Sequence, residues 1–326
     1  MPQGTEMAKV LVTGGAGFIG SHLCDHLVRY GHDVVVLDDL SSGHCSNIAQ
    51  LEGRVTFIRD SVANVQVHAN ALKGVTRIYH LAALISGYDS LRRPDDYLDT
   101  NLHGLLRIIE FGRCSPGMRI IFASSSTVYG NRPDKLCRES DHATPMTVYA
   151  LSKYAGEHLL SMYSSVYGFD YVCLRLFNVY GPRQSSDHPY ANVTCKFSAA
   201  AASGDPIRLY GDGEQSRDFV FVDDVVRAFL LVFNASRDRI YNVGTGVQTK
   251  IAGLITELER LTASRLTVSR LPPWPNDIRS IGADVTRLET EFVFRPSVNM
   301  SEGLRRTVDW FRTQQQDGDH ARIARQ

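Results

Sequence analysis

The fold is decided by a glycine-rich stretch near the start of the chain, Thr13-Gly14-Gly15-Ala16-Gly17-Phe18-Ile19-Gly20. It follows a short apolar run at residues 10–12 and opens a stretch, 18–30, with apolar residues at helical spacing. The first of the glycines at 14, 17 and 20 permits a tight turn, the second lets the backbone approach a pyrophosphate, and the third lets the helix pack against the strand. The loop therefore predicts a dinucleotide site between a first strand and a first helix. Its predicted contacts with the phosphates are Gly14, Gly17 and Gly20.

An acidic pair follows the second apolar run, residues 34–37. Asp38 lies 18 residues beyond Gly20, where a carboxylate can accept hydrogen bonds from an adenosine ribose. Asp39 adds a second negative charge, and no arginine stands beside it to pair with a 2′-phosphate. The pair therefore favours NAD over NADP as the cofactor.

Apolar runs and helical patterns alternate through the first half of the chain. Further β-branched runs occur at 55–58, 77–81 and 119–122, with helix-like stretches at 97–111 and 149–167. Continuous apolar runs that alternate with helices indicate βαβ units and a parallel sheet covered on both faces. We therefore predict an α/β protein with a Rossmann-type doubly wound parallel sheet.

The alternation of apolar runs with helical stretches becomes less regular after about residue 181, where proline, glycine–aspartate turns and polar loops become more frequent. We predict that residues 7–180 form the NAD-binding Rossmann domain, to which a later segment, about 219–245, returns. Residues 181–312 are expected to form mainly a smaller C-terminal α/β domain that binds the substrate. The polar residues 313–326 are expected to be a flexible tail.

The bulk composition disfavours several classes of protein. Thirty-five Lys+Arg balance thirty-five Asp+Glu in 326 residues, so the chain has no overall field to attract nucleic acid or an anionic membrane. No apolar segment reaches the roughly 20 residues that span a bilayer, and residues 1–9 lack the pattern of a signal peptide. Six scattered cysteines and histidines without ligand spacing predict reduced thiols and no metal site. We expect a cytoplasmic protein with no nucleic-acid or membrane partner.

A tyrosine and a lysine lie one helical turn apart in Tyr149-Ala150-Leu151-Ser152-Lys153. A free tyrosine has a pKa of about 10, and a neighbouring cation stabilises its phenolate. The tyrosine then becomes usable as a base near neutral pH. An ordinary exposed helix pair would show the same spacing, so the pair is informative only together with other motifs. A serine-rich segment, 124–130, lies just upstream of it.

Several further motifs accompany the glycine loop, the acid and the Tyr-x-x-x-Lys pair. They are His80-Leu81-Ala82-Ala83, Asn101, Arg175-Leu176-Phe177-Asn178-Val179-Tyr180-Gly181-Pro182-Arg183, Tyr210-Gly211-Asp212-Gly213-Glu214-Gln215-Ser216-Arg217-Asp218-Phe219 and Tyr241-Asn242-Val243-Gly244-Thr245-Gly246. With these motifs, the chain from about residue 10 to 310 resembles the extended short-chain dehydrogenase/reductase family. Within that family it resembles the NAD-dependent nucleotide-sugar epimerases and dehydratases.

The resemblance implies a role for each matching residue. Tyr149 would be the acid/base, Lys153 its pKa-lowering partner and ribose ligand, and Ser125 the hydroxyl that bonds the reacting sugar oxygen. The implied cofactor contacts are Gly14, Gly17, Phe18, Ile19, Gly20, Asp38, Asp39, Asp60, Ser61, Leu81, Ala82, Ala83, Asn101, Tyr149 and Lys153. The implied substrate contacts are Ser125, Ser126, Tyr149, Asn178, Tyr210, Arg217 and Arg279, with the two arginines at the diphosphate.

Two departures from the family pattern narrow the reaction. Relatives that eliminate water or carbon dioxide carry an acidic residue after the catalytic hydroxyl, where this chain has Ser126-Thr127. A hydroxyl pair cannot move a proton at neutral pH as a carboxyl does, so elimination is disfavoured. Epimerases of UDP-glucuronate tend to have Thr and Arg where this chain has Asn178 and Ser185, which favours a neutral sugar.

We therefore predict an epimerase that inverts C4 of a UDP-hexose through a transient 4-keto intermediate, with UDP-glucose/galactose or the N-acetyl forms as substrate. Two alternatives stay open. One is a UDP-glucuronate 4-epimerase or a nucleotide-sugar dehydratase of a secondary-metabolite pathway. The other is a catalytically inactive NAD-binding regulatory protein, against which the intact Ser125, Tyr149 and Lys153 argue. The resemblance also predicts a homodimer, with the helical stretches 97–111 and 149–167 forming a four-helix interface.

Overall fold

The computed structural model describes residues 7–113, 115–133, 135–186, 191–235, 239–273 and 278–323. Its strands are β1 (Lys9–Thr13), β2 (Asp33–Leu37), β3 (Val55–Ile58), β4 (Val75–His80), β5 (Arg119–Ser125), β6 (Asp170–Leu176), β7 (Asn178–Tyr180), β8 (Ile207–Tyr210), β9 (Ser216–Phe221), β10 (Arg239–Val243), β11 (Gln248–Lys250), β12 (Val268–Leu271) and β13 (Ser280–Ile281). Its α-helices are α1 (Phe18–Arg29), α2 (Gly87–Arg92), α3 (Pro94–Tyr97), α4 (Gly104–Gly112), α5 (Val148–Tyr167), α6 (Val193–Ser203), α7 (Val222–Leu231), α8 (Ile251–Thr262), α9 (Thr286–Phe292) and α10 (Met300–Ile323).

Seven parallel strands form the central sheet in the order β10-β6-β5-β4-β1-β2-β3. Thr13 at the end of β1 pairs with Leu37 of β2 on one side and with His80 of β4 on the other. The direction in which the sheet grows reverses between β1 and β4, so a crevice opens at the carboxyl ends of these two strands. The predicted α/β class with a Rossmann-type doubly wound sheet is confirmed.

Apolar side chains cover both faces of this sheet, as the continuous apolar runs predict. Along β1, Val10 and Val12 belong to a buried cluster with residues of α1 and α7. Leu11 between them belongs to a separate cluster with residues of α4 and α5. Successive residues of a strand point to opposite faces, so burial on both sides fixes the position of each strand along its neighbours. The carboxyl ends of β1, β4 and β5 are thereby fixed beside one another.

The smaller sheets are built from later segments. One contains β11, β9 and β13 with β7 beside β9, and the other pairs β12 with β8. Within the segment predicted to return to the Rossmann domain, β10 lies in the central sheet beside β6, whereas β9 pairs in the smaller sheet. Strand β7, at the end of the predicted 7–180 domain, also lies in the smaller sheet, because it pairs with β9.

The last helix extends beyond the predicted start of the tail at residue 313. Helix α10 continues through Ile323, so the polar residues 313–323 are helical. Among the residues that the structure describes, no helix has the length and apolar character needed to cross a membrane. The same part of the chain contains no cluster of His, Cys, Asp and Glu side chains arranged to hold a metal ion.

Candidate active site

The glycine loop has no room for side chains at its first and third glycines. Gly14 has a φ of +70°, and a Cβ there would lie 2.7 Å from the backbone nitrogen of Ala82. A Cβ at Gly20 would collide with the carbonyl oxygen of Gly14. The turn is closed by the Gly17 N–H, which donates to that same carbonyl at 3.1 Å. This close-packed turn at the N-terminus of α1 fits a dinucleotide pyrophosphate, which needs backbone N–H groups and no intervening side chains.

Asp38 holds the glycine loop from the end of β2. Its Oδ2 accepts the Ala16 N–H at 2.9 Å and its Oδ1 accepts the Leu40 N–H at 2.8 Å. Asp38 is buried, and burial raises the pKa of its carboxyl, against these two hydrogen bonds. Asp39 is exposed, and its Oδ1 accepts the Ser41 N–H at 2.8 Å. The carboxylate of Asp38 therefore supports the loop while it keeps acceptor capacity for a ribose hydroxyl.

The segment after β4 closes the other side of the crevice. The Leu81 N–H donates to the Thr13 carbonyl at 3.1 Å, and the Ala82 N–H donates to Thr13 Oγ1 at 3.3 Å. Asn101 holds the end of this segment, since its Oδ1 accepts the Leu84 N–H at 2.8 Å and its Nδ2 donates to the Leu84 carbonyl at 2.9 Å. Its Nδ2 also donates to Ser152 of α5 at 3.1 Å. The Asn101 side chain is therefore used within the protein, and a direct contact with the cofactor stays a prediction.

Asp60 and Ser61 lie after β3 and make local contacts. The Asp60 carboxylate accepts bonds from Asn64 Nδ2 at 2.8 Å and the Ser61 N–H at 2.7 Å, and it lies 2.8 Å from His68 Nε2. The bonds from Asn64, then from His68 and Ser61, hold the pKa of this carboxyl below its usual range. Ser61 Oγ accepts the Ala63 N–H at 3.2 Å. Contact of this pair with an adenine ring stays a prediction.

Ser125 and Tyr149 meet where β5 ends and α5 begins. Ser125 Oγ lies 2.9 Å from Thr127 Oγ1 and accepts the Thr127 N–H at 3.2 Å. Tyr149 lies in the first turn of α5, whose N-terminus is capped by Thr147. Burial raises the pKa of the Tyr149 phenol, and the nearby Ser125 hydroxyl works against this effect. The Ser125 and Tyr149 side chains therefore lie near each other at the carboxyl edge of the sheet.

Lys153 lies one turn further along α5 and is almost completely buried. Its Nζ donates to the Ala123 carbonyl at 2.9 Å and lies 4.8 Å from the centre of the Phe122 ring. Burial lowers the pKa of this ammonium to about 7. A pKa-lowering effect of Lys153 on Tyr149 stays a prediction. The pKa of the phenol is raised, because burial outweighs its other interactions.

The other predicted substrate residues, Asn178, Tyr210, Arg217 and Arg279, lie in or next to the smaller sheets. Arg217 of β9 pairs in register with Ile281 of β13, and Asn178 of β7 pairs with Phe219 of β9. Tyr210 ends β8, next to a cavity of about 540 Å³. That cavity is lined by Gly211, Asp212, Gln215, Leu271, Pro273 and Arg279. The small sheet thus brings Asn178 and Arg217 onto neighbouring strands, while Arg279 lies at the cavity next to Tyr210.

Arg279 is held by an acid that the sequence did not indicate. Its Nη1 lies 2.9 Å from Asp212 Oδ1 and 3.1 Å from Asp212 Oδ2. This pairing holds the pKa of the Asp212 carboxyl below its usual range. The two residues are 67 positions apart, so only the pairing of β12 with β8 and of β13 with β9 brings their segments together. A role for Arg279 at a diphosphate stays a prediction, and Asp212 neutralises its charge in the protein alone.

Three further residues surround the catalytic group and were missed by the sequence reasoning as parts of the site. Thr127 bonds the Ser125 hydroxyl, and the serine–x–threonine spacing was the available signal. Glu157 and Arg175 form a buried ion pair of 2.7 Å directly behind Ser124. Glu157 lies four residues after Lys153, and this helical spacing was the only local indication of its position.

A dinucleotide loop at the switch point of a parallel sheet, followed by a Ser–Tyr–Lys group at its carboxyl edge, defines an NAD(P)-binding short-chain dehydrogenase/reductase. Residues 10–244 match the NAD dependent epimerase/dehydratase family. The chain belongs to this family, and the resemblance drawn from its motifs is confirmed. NAD, the cofactor that the family uses, accepts a hydride from the substrate and returns it. The glycine loop and Asp38 would hold its pyrophosphate and adenosine ribose.

Similar proteins match nearly the whole length of the chain. The UDP-glucose 4-epimerase of Mycolicibacterium smegmatis is 36% identical over 313 residues, which cover 94% of this chain and 100% of the relative. A UDP-N-acetylglucosamine 4-epimerase from Methanobrevibacter ruminantium, solved with UDP-N-acetylmuramic acid, is 36% identical with a TM-score of 0.91, covering 95% of this chain and 100% of that chain. A UDP-N-acetyl-alpha-D-glucosaminuronate decarboxylase of Bacillus cytotoxicus is 31% identical over 95% of this chain and 99% of the relative.

Proposed function

We propose that the protein is an NAD-dependent epimerase that inverts C4 of a UDP-hexose. The observation that carries the proposal is the placement of Ser125, at the end of β5, near Tyr149 and buried Lys153 of α5, with hydroxyls and no carboxyl at positions 126 and 127. This group can move one proton to and from a sugar hydroxyl. The two most similar relatives described above, both UDP-sugar 4-epimerases, support the same reaction.

Tyr149 acts as the base and then as the acid of this reaction. Its Oη takes the proton of the C4 hydroxyl as the hydride of C4 passes to the cofactor, and a 4-keto sugar results. Ser125 donates a hydrogen bond to the same sugar oxygen and stabilises it as its charge changes. After the keto sugar turns over, the hydride returns to its opposite face and Tyr149 gives the proton back. Every proton and hydride removed is returned, so the product has the mass of the substrate.

Elimination would need a proton donor or acceptor that this group lacks. Thr127 occupies a position where eliminating relatives carry an acid, and its hydroxyl is already bonded to Ser125 at 2.9 Å. Ser126 beside it is buried and also carries a hydroxyl. Neither side chain ionises near neutral pH, so neither can act as the second acid or base. Epimerisation at C4, which needs only Tyr149 as a proton-transfer group, is therefore favoured over elimination.

The substrate is proposed to be a UDP derivative of a neutral hexose, glucose/galactose or an N-acetyl form. Asn178 and Arg217 lie on neighbouring strands of the smaller sheet, where an amide and a guanidinium can bind a sugar and a diphosphate. Ser185 stands where epimerases of UDP-glucuronate tend to carry an arginine. Without that cation, a sugar carboxylate would lack a partner at this position.

The decisive experiment is product analysis with a panel of UDP-sugars. The purified protein with NAD is incubated with UDP-glucose, UDP-galactose, their N-acetyl forms and UDP-glucuronate, and the products are measured by mass spectrometry and NMR. The proposal expects a C4 epimer of unchanged mass from at least one neutral sugar, with no net accumulation of NADH. A product lighter by one water or one carbon dioxide would refute it. The Tyr149→Phe variant is the matched control for traces of other enzymes.

We also propose that the protein forms a homodimer through α5. This helix exposes Leu151, Met162, Val166 and Tyr167 at 48%, 54%, 69% and 45% of their surface. Leu151, Met162 and Val166 are separated by eleven and four residues, so they follow one face of the helix. An apolar face of this length on a long helix supports pairing with a second copy. The double substitution Met162→Glu/Val166→Glu should convert the dimer to a monomer in light scattering, and an unchanged mass would refute this interface.

We further propose that the protein functions in the cytoplasm. Within the described residues, Cys24, Cys45, Cys137, Cys173 and Cys195 form no disulfide, as a reducing compartment favours. Fractionation of the cells that produce the protein, with enzymes of known compartment as markers, tests this location.

A further inference from the structure

A buried carboxylate lies directly behind the catalytic group. Glu157 is on α5 and Ser124 immediately precedes Ser125 on β5. Glu157 Oε1 accepts the Ser124 hydroxyl at 2.5 Å and Arg175 Nε at 2.9 Å, and its Oε2 accepts Arg175 Nη2 at 2.7 Å. The side chains of Ser124, Glu157 and Arg175 are buried, each with 3% of its surface exposed. The polar atoms of this cluster are thus bonded to one another away from solvent.

The cluster joins the elements that carry the catalytic residues. In the central sheet, Ser124 of β5 pairs in register with Arg175 of β6. Glu157 reaches both strands from α5, one helical turn beyond Lys153 and two beyond Tyr149. Ser125 is fixed to β5, whereas Tyr149 and Lys153 are fixed to α5. The separation between these two sets of groups therefore depends on what holds α5 against the ends of β5 and β6.

Arg175 extends the cluster to the turn that follows Ser125. Its guanidinium carbon lies 4.8 Å from the centre of the Tyr129 ring, and its Nη1 donates to the Glu139 carbonyl at 3.3 Å. Tyr129 in turn donates its hydroxyl to Asn242 Oδ1 at 2.7 Å. The fork of Arg175 is planar and rigid, so it fixes the directions of Glu157 and Tyr129 together. One cation thereby holds the strand, the helix and the turn that surround Ser125.

We propose that Glu157 and Arg175 are a positioning pair, which sets the geometry of Ser125 against Tyr149 and Lys153 for the proposed epimerisation. Neither residue touches the reacting atoms. Their effect is transmitted through Ser124 to Ser125 and through one turn of α5 to Lys153. This inference rests on the proposed function for its kinetic readout, and a second readout, the geometry itself, is independent of any substrate.

The main test variant is Glu157→Met/Arg175→Met. It removes both charges together, so neither is left buried and alone, and an ion pair replaced in this way often costs little stability. The matched control is Arg119→Met/Asp170→Asn. Arg119 of β5 and Asp170 of β6 form an ion pair of 2.5 Å at the end of these strands remote from Ser125.

We expect the test variant to bind NAD and UDP-sugar with near-normal affinity and to unfold near the wild-type temperature. Its kcat should fall about 10²-fold, the loss that a misplacement of about 1 Å between reacting groups can cause. The control should keep its kcat within a factor of about two, even if its unfolding temperature falls. A test variant with wild-type kcat would overturn the proposal, because the pair would then serve stability alone.

Two further measurements decide the question if the double variant does not fold or if no UDP-sugar is converted. Ser124→Ala keeps the ion pair intact and removes only its bond to β5, and we expect a lower kcat with only a modest fall in the unfolding temperature, because one buried hydrogen bond is lost. If wild-type protein converts no sugar, the proposed function fails, and the positioning role is measured in crystals of Ser124→Ala and wild type as the distance from Ser125 Oγ to Tyr149 Oη. An unchanged distance, or an unchanged kcat where activity exists, would overturn the proposal.

Discussion

Replacing Lys153 by methionine is expected to stabilise the protein while it abolishes the activity. The lysine is 3% exposed, and its Nζ has a hydrogen bond to the Ala123 carbonyl at 2.9 Å. Burial lowers its pKa to about 7, so the folded protein resists protonation of this amine. Methionine has a similar length and carries no charge. The substitution therefore removes the free-energy cost of burying the Lys153 amine.

The expected gain in stability follows from the difference between the pKa of Lys153 in the unfolded chain and in the folded protein. The pKa falls from 10.5 to about 7, which corresponds to an upper limit of about 5 kcal/mol at about 1.4 kcal/mol per pH unit. The lost hydrogen bond to the Ala123 carbonyl offsets about 1–2 kcal/mol of this. We therefore expect Lys153→Met to raise the free energy of unfolding by about 2–4 kcal/mol at neutral pH.

The pH dependence has a definite sign. Between pH 7 and 10.5 the unfolded chain binds a proton on this lysine that the folded chain does not, so wild-type stability rises with pH in this window. Below the folded pKa both states are protonated and the full cost is present. The neighbouring titratable groups do not change charge in the folded protein within this window. Burial lowers the pKa of His80 to about 3 and raises the pKa of Tyr149. Glu157 is neutralised by Arg175.

The assay is urea unfolding of the protein without NAD at several pH values from neutral to mildly alkaline. The stability advantage of Lys153→Met should shrink by up to about 1.4 kcal/mol for each pH unit. Lys250→Met is the matched control, because Lys250 is exposed and paired with Glu214 at 2.6 Å, and its effect should stay within about 0.5 kcal/mol. A variant less stable than wild type at neutral pH, or a difference that does not change with pH, would refute the reasoning.

The remaining predictions concern the base, the ribose site and the glycine loop. Tyr149→Phe should lower kcat by about 10²–10⁴-fold without loss of NAD affinity, and turnover within a few-fold of wild type would contradict its role as base. Asp38→Ala should weaken the preference for NAD over NADP in calorimetric titration, whereas equal affinities in the wild type would exclude Asp38 from the ribose site. Gly20→Ala should cost about 1–3 kcal/mol of stability and weaken NAD binding, since its Cβ meets the Gly14 carbonyl. Gly253→Ala, whose Cβ has no neighbour closer than 3.8 Å, is the control that should not weaken it.

The sequence predicts those parts of the molecule that local chemistry determines. The glycine spacing predicts the turn between β1 and α1, and the apolar runs predict a parallel sheet covered on both faces. The four-residue spacing places Tyr149 and Lys153 on one side of α5. Each of these inferences depends on residues within a turn or two of one another, where backbone geometry allows few alternatives.

The contacts that join distant segments could not be predicted in this way. Arg279 pairs with Asp212 across 67 positions, and Glu157 of α5 meets Arg175 of β6 only because the helix packs against the sheet. The direction of the Tyr149 pKa was likewise not predictable, since it depends on how deeply the packed helix buries the phenol. Motif residues without an evident chemical role, such as Tyr129 and Asn242, also acquire one only when the fold places them in contact at 2.7 Å.

Neighbouring polar residues on helix α5 are expected to have opposite effects on stability. Tyr149, Lys153 and Glu157 follow one another at four-residue intervals, and Lys153 and Glu157 are buried. Glu157 is paired with Arg175 and Ser124, whereas within the described part of the chain the Lys153 ammonium has one hydrogen bond, to the Ala123 carbonyl, and the face of the Phe122 ring. Removing Glu157 alone should therefore destabilise the fold by leaving Arg175 unpaired, while removing Lys153 should stabilise it. If removing Glu157 lowers the stability and removing Lys153 raises it, the helix keeps its less well compensated charged group at Lys153, where the cofactor ribose is expected to bind.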